Sequence, residues 1–300
     1  MKSISLLKFS LFGISTVIFK RKRPILATII LTDKCNLSCK HCAVNNITSQ
    51  IYSYPSILQN MVDLYQRGIR ILFFCGGETF LWADHGKTLR DLIIEAKQRG
   101  FLLVNVVTNG TYTLNLPEAD LILLSIDGTK GNHDRIRGLT YDAILSNIDH
   151  AALNNICLYM AVNKLNLQDI EAVSELAAHH PHIRAISFNF HTPYPETEYL
   201  ALTYQEKRDA CDRITALIKS GYPIFNLRSA FKYIVNNSFK TPCYQCLVIE
   251  DGKEYICGRC IEIEGLCKKC GYFFAAEYAL VFDGNIKVIL DMLRTYLKYI

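Results

Sequence analysis

No low-complexity tract interrupts the 300 residues. With half of them hydrophobic and a fifth charged, the chain is neither a disordered segment nor a fibre nor a small disulfide scaffold. Past residue 24 an excess of either charge is missing too. Lys2, Lys8, Lys20, Arg21, Lys22 and Arg23 give residues 1–24 a charge of +6 with no acid, so the net +5 leaves −1 for all that follows. That balance excludes a protein that coats nucleic acid. The apolar stretch Ile4 to Phe19 has no small-residue cleavage site and is followed by a basic run, so it does not read as an export signal, and the chain is expected to be cytoplasmic. Ser3–Phe19 is 17 residues, the lower limit for a membrane span, and contains Lys8, Gly13 and several serines. Two readings stand for it. One is a helix in peripheral contact with a membrane, its Lys20-Arg21-Lys22-Arg23 run against anionic headgroups. The other is a helix that covers the bottom of the fold.

What the sequence has in abundance is cysteine, and it is grouped. Cys35, Cys39 and Cys42 form one set; Cys243, Cys246, Cys257, Cys260, Cys267 and Cys270 form another. Only Cys75, Cys157 and Cys211 stand alone, in apolar or helical stretches where cysteine acts as a small core hydrophobe. Tight sets in a cytosolic chain of this length indicate metal ligation rather than disulfides.

From Pro24 onward short apolar runs alternate with helical patterns. Strands are expected at 25–31, 70–75, 101–107, 121–126, 156–162 and 183–190, and helices at 54–66, 85–99, 141–153, 167–178 and 204–219. Strands this apolar have no wet face, which predicts an α/β fold with a parallel sheet, open or closed into a partial barrel. Gly68 and Gly100 are placed as helix terminators. The alternation stops near residue 229, dividing the chain into an apolar and basic segment (1–24), a β/α core (25–228) and a small Cys-rich domain (229–300). A last amphipathic helix over 284–300 sets Lys287, Asp291, Arg294 and Lys298 opposite Ile286, Ile289, Leu293, Leu297 and Ile300. Its apolar face is expected against the body.

Cys35-Asn-Leu-Ser-Cys39-Lys-His-Cys42 directly follows the first strand. Three thiolates on a four-iron cube leave one iron open to a small ligand, whereas a structural zinc would want a fourth ligand nearby. The segment Thr32–Cys42 resembles the signature of the radical S-adenosylmethionine (SAM) superfamily. The resemblance implies a partial (β/α)6 barrel and an open iron of a 4Fe–4S cluster that chelates SAM. An electron from the cluster would cleave SAM to a 5′-deoxyadenosyl radical, which takes a hydrogen atom from substrate. It also places His41 close to the adenine. Gly76-Gly77-Glu78-Thr79 after the second strand is similar to the family's Gly-Gly-Glu-Pro, which binds the SAM amino group, with Thr79 in place of proline. Taken alone, two glycines allow close backbone approach to a ligand and the carboxylate can hold an ammonium. Asn109 in Thr108-Asn109-Gly110 and Asp127 in Ser125-Ile126-Asp127-Gly128 end the next two strands, where β/α enzymes gather their sites. Ser125 and Arg137, twelve residues apart, match a serine and arginine that contact SAM in the peptide-modifying branch. The family's glycine-rich adenine motif is not evident at 156–163. His191, after the sixth strand, faces substrate at the barrel mouth or lies on the surface.

In the second set, Asp251-Gly252 between β-prone runs predicts a hairpin that brings Cys243 and Cys246 toward Cys257 and Cys260. A zinc ribbon uses such paired Cys-x2-Cys knuckles. The layout also resembles the SPASM or twitch extensions of radical SAM enzymes, which hold auxiliary 4Fe–4S clusters. Six cysteines suffice for one complete cluster but not two. One auxiliary 4Fe–4S cluster is the expectation, with zinc as the alternative and a zinc-ribbon binding module as the rival class. Gly258 stands where related sulfatase-maturing enzymes carry an acidic base, so their reaction is not carried over. The resemblance implies a peptide or protein substrate, against a lipid or isoprenoid-like one, and an electron donor such as flavodoxin or ferredoxin.

Overall fold

A computed structural model describes residues 11, 12, 15, 24–43, 48, 50–153, 155–241, 244, 246–250 and 252–299. Most of the 1–24 segment, Cys243 and Asp251 lie outside the described residues.

The apolar runs become parallel strands because nothing in them faces water. β1 (Leu26–Ile30), β2 (Ile71–Cys75), a two-residue hairpin of β3 (Ala83–Asp84) and β4 (Lys87–Thr88), β5 (Leu103–Thr108), β6 (Leu121–Ser125), β7 (Ile156–Val162) and β8 (Ile183–Phe190) follow in chain order. β1, β2, β5, β6, β7 and β8 pair side by side in that order and all in parallel. The expected six-stranded α/β architecture is therefore present. The sheet then grows at its β1 edge: β9 (Cys246–Glu250) pairs in parallel with β1, and β10 (Lys253–Ile256) closes the expected hairpin in antiparallel fashion. The Cys-rich region thus continues the sheet of the core.

Alternate strand residues point to opposite faces. Ala27 and Ile29 pack outward on Ile57, Met61 and Leu64, which share one face of the helix Tyr54–Gln66 through their i, i+4, i+7 spacing. Ser53 caps that helix by accepting a hydrogen bond from the Ser56 amide at 3.4 Å. The expected helix over 85–99 starts only at Leu89. Thr88 and Asp91 form a capping box there, and the β3–β4 turn takes up the preceding residues, with His85 and Gly86 at positive φ. A helix over Lys130–Arg137, absent from the sequence reading, carries Arg137 on its last turn.

On the inner face, Leu26, Ile71 and Leu103 form the floor at the N-terminal ends of the strands. Ala275 and Tyr278 of the helix Phe273–Phe282 pack onto it. The final helix, Ile286–Tyr299, sets Tyr299 against Leu121, Leu123 and Phe225 at the same end. These C-terminal helices fill the lower interior, so the concave space that remains opens at the strands' C-terminal ends.

Candidate active site

That space is a cavity of about 220 Å³. Its wall includes Cys35, Cys39 and Cys42 from the loop after β1, Gly76 and Gly77 after β2, Asn109 after β5, and Ser125 at the end of β6. Arg137, His41 and the strand-end residues Tyr159, Ala161, Asn189 and His191 complete it, with Tyr194 and Tyr272. Parallel register brings these ends to one rim, which is why residues up to 237 positions apart meet.

The cluster loop is seated by backbone contact. The Gly77 amide donates to Thr32 O at 2.7 Å and the Glu78 amide to Lys34 O at 2.9 Å. A Cβ on Gly76 would stand 2.3 Å from Thr32 O, and one on Gly77 2.3 Å from Lys34 O. The two glycines are therefore required by the approach of the chain's own loop, a reason the sequence reading did not supply. Glu78 also differs from expectation. Its carboxylate is fully buried and accepts from Thr108 Oγ1 at 2.7 Å, the Asn109 amide at 2.7 Å and the Phe80 amide at 3.1 Å. It ties the end of β2 to that of β5 and is absent from the cavity wall, as is Thr79, whose hydroxyl donates to Val107 O. Burial pushes the Glu78 carboxyl above its usual range while these hydrogen bonds pull it back.

Asp127 is the hub beneath the rim. Its Oδ2 accepts from Arg137 Nε at 2.5 Å and lies 3.2 Å from His41 Nε2; its Oδ1 accepts from the Ala161 amide at 2.9 Å. Despite burial, the neighbouring Arg137 and these contacts hold its carboxyl below the ordinary value. Asp127 itself does not line the cavity; it fixes Arg137 and His41, which do. Arg137 Nη1 reaches Cys39 Sγ at 3.8 Å, and Asn109 Nδ2 reaches Cys35 Sγ at 3.8 Å. Burial pushes the Cys39 thiol up to about 11 and pulls His41 down to about 4, so the imidazole is neutral at pH 7. His41 Nδ1 is buried with no hydrogen-bond partner among the described residues.

His191 is wholly interior, in the cavity wall rather than on the surface, its ring edge-on to His41 at 6.3 Å. Its Nε2 lies 3.1 Å from Thr197 O and 3.0 Å from Thr197 Oγ1, whose proton goes to Tyr194 O. Both partners can only accept, so Nε2 carries the proton and Nδ1 keeps its lone pair. Tyr159, Ala161 and Tyr272 carried no signal in the sequence, whereas Asn189 and Tyr194 belong to the segment after the sixth strand that was expected at the barrel mouth. The asparagine pair Asn163 and Asn166, which braces Ala161 O from 2.9 and 3.1 Å, was missed. The polar Asn163-x2-Asn166 spacing on a buried strand end was the available signal.

On the far side of the wall, the Tyr194 hydroxyl stands 3.2 Å from that of Tyr272 and reaches the Cys260 thiol. Cys260, Cys267 and Cys270 lie within mutual electrostatic reach. Cys246 and Cys257 face each other across the hairpin, the Cys257 amide donating to Cys246 O at 2.9 Å. Among the described residues no three His, Cys, Asp or Glu side chains gather tightly enough for a single ion. A cube is held from separate corners, which spreads its thiolates further apart. Arg259 links the two cysteine regions through Ala43 O, next to Cys42, and through Glu250 at 3.4 Å.

A parallel half-barrel with three thiols, a buried arginine and an orphaned imidazole nitrogen around one strand-end cavity defines an enzyme built to hold a cluster and a polar, charged cofactor beside it. The chain belongs to the radical SAM superfamily, whose family model matches residues 29–177. Fe-coproporphyrin III synthase of Methanosarcina barkeri is 29% identical over 171 residues, 52% of this chain and 41% of that protein. The sporulation killing factor maturation protein SkfB of Bacillus subtilis is 30% identical over 175 residues, 52% of this chain and 40% of that one. The chain thus matches less than half the length of these relatives. In fold it is similar to SuiB of Streptococcus suis, solved with its precursor peptide SuiA, at TM-score 0.65 and 12% identity, covering 93% of this chain and 71% of that one. It is also similar to anSMEcpe, solved with AdoMet and a peptide, at TM-score 0.60 and 18% identity, covering 92% and 84%.

The family's cofactors are a 4Fe–4S cluster and SAM, and the residues present fit them. Three thiols line a cavity whose wall also carries Asp127-fixed Arg137 and a His41 Nδ1 with no partner among the described residues, a donor and acceptor set that suits a polar, charged ligand. When bound, the pair supplies reductive cleavage of SAM.

Proposed function

We propose that the enzyme uses SAM cleavage to take a hydrogen atom from a peptide or protein substrate. The observation that carries this reading is the convergence of Cys35, Cys39, Cys42, Ser125 and Arg137 on one cavity, at the spacing of the peptide-modifying branch. Cys35, Cys39 and Cys42 would hold the cluster. Arg137 would meet the SAM carboxylate, Ser125 and Asn109 the rest of its polar edge, and His41 its adenine. Asp127 keeps Arg137 aimed, and Glu78 sets the spacing of the β2 and β5 ends. His191 Nδ1 is an acceptor only and so suits an N–H, O–H or S–H donor of the substrate. Residues 229–300 form the auxiliary region, whose cysteines would bind one further 4Fe–4S cluster, with the Tyr194–Tyr272 pair between it and the cavity. A flavodoxin- or ferredoxin-like donor would supply the electron. The precursor peptide bound to SuiB, the peptide bound to anSMEcpe and the maturation role in SkfB's name support this substrate class.

The test is isotopic. Anaerobically reconstituted protein receives SAM, dithionite and a deuterated peptide encoded beside its gene. Deuterium should appear in 5′-deoxyadenosine, and the peptide mass should change. If 5′-deoxyadenosine forms without deuterium from any such peptide, the substrate class is wrong. If none forms and Cys35→Ala behaves as wild type, the enzyme reading itself fails.

A further inference from the structure

The final helix is turned about its axis from the expected orientation: of Ile286, Ile289, Leu293 and Leu297, only Ile289 packs on the core. Val288 is buried, Ile289 and Met292 pack on the core, Tyr296 and Tyr299 meet Phe225, and Asp291 accepts from the Ser229 amide and hydroxyl. That leaves Ile286, Leu290, Leu293 and Leu297 outward, with 71%, 48%, 53% and 69% of their surface exposed. Steps of four, three and four residues put them in one stripe along the helix. Lys287, Arg294 and Lys298 fall together on a single flank of that stripe, all exposed and none in an ion pair among the described residues.

The stripe lies at one end of the sheet. Tyr299 packs on Leu121, the first residue of β6, and Arg184 near the start of β8 donates to Tyr299 O at 3.4 Å. These are the N-terminal ends of parallel strands. No helix among the described residues is long and apolar enough to cross a membrane.

We propose that this end of the molecule rests on an anionic lipid surface, with the helix Ile286–Tyr299 lying in the interface. The stripe enters the acyl boundary, and the Lys287, Arg294 and Lys298 flank reaches the headgroups. Each such cation near an anionic leaflet contributes about 1 kcal/mol, which adds to the apolar burial of the stripe and suits reversible docking. A second copy on the same stripe would set three cations against three. The cavity mouth, at the opposite ends of the strands, stays open.

The full chain is sedimented at low salt with vesicles of phosphatidylcholine alone or mixed with phosphatidylglycerol. Binding should require the anionic lipid and weaken with salt. Leu290→Ser/Leu293→Ser/Leu297→Ser should lower partitioning about tenfold or more, with SAM cleavage and melting temperature unchanged. Lys287→Gln/Arg294→Gln/Lys298→Gln should reduce the preference for anionic lipid. Four results overturn the proposal: no sedimentation with either vesicle; loss only on neutralising residues 20–23, with the leucine variant binding as wild type; a dimer that the leucine variant breaks, without vesicle binding; or hydroxyl-radical footprinting that finds Leu290 and Leu293 already shielded in the lipid-free monomer.

Discussion

Single residues decide how the site is held, and most of those decisions are electrostatic. Asp127 and Arg137 are a buried pair whose separation by ten residues gives no sequence hint of contact; the short helix between them folds the arginine back onto the aspartate. The three cluster cysteines were legible because their spacing is itself the chemistry. Glu78 was legible as important, but its direction was not, since a motif does not say which way a carboxylate points. Glu277 was invisible: one acid in the run Phe273–Phe282, yet it is buried and accepts from the Leu227 amide at 2.8 Å. Burial raises its carboxyl from 4.5 to about 7. A folded value above the unfolded one means the native state holds more protons between the two. Stability from this group is therefore full below pH 4.5 and is lost as pH rises through about 7. Glu277→Gln should raise unfolding free energy at pH 8 by about 1–3 kcal/mol and flatten that slope. Urea titrations at pH 5 and pH 8 read it; equal gains at both would show that the carboxyl is not the cause.

At the scale of elements, apolar runs with helices between them made the six strands legible to within two residues. Turn chemistry hid the β3–β4 hairpin, and a charged sequence hid the Lys130–Arg137 helix. The last helix was recognised but its contact face was not. Val288, Tyr296 and Tyr299 on the adjoining face won the packing, which turned the helix and left the leucine stripe outside. The join between the Cys-rich region and the core depends on another glycine. The Gly271 amide donates to Thr192 Oγ1 at 2.9 Å, and a Cβ there would stand 2.1 Å from Phe190 O. Gly271→Ala should therefore push Cys270 and Tyr272 away from the end of β8, costing about 2 kcal/mol or more. The expected outcome is a lower melting temperature together with loss of metal from the C-terminal cysteines, while SAM-responsive iron stays. Wild-type melting and full metal content would remove this joint from the account.

For the molecule as a whole, a parallel half-barrel has one end where strands finish and another where helices can plug it. This chain uses the first for the cavity and the second for its C-terminal helices. The central claim is that Cys35, Cys39 and Cys42 hold a cluster with one iron open to SAM. Electron paramagnetic resonance of the dithionite-reduced, anaerobically reconstituted protein tests it most directly, with wild type compared to the Cys35→Ala/Cys39→Ala/Cys42→Ala variant. The account predicts a reduced 4Fe–4S signal in wild type whose g-values change when SAM is added. In the variant that SAM-responsive signal disappears, while about four irons remain on the C-terminal cysteines. A fully iron-loaded wild type whose spectrum is the same with and without SAM, or a variant that keeps the SAM response, would contradict it.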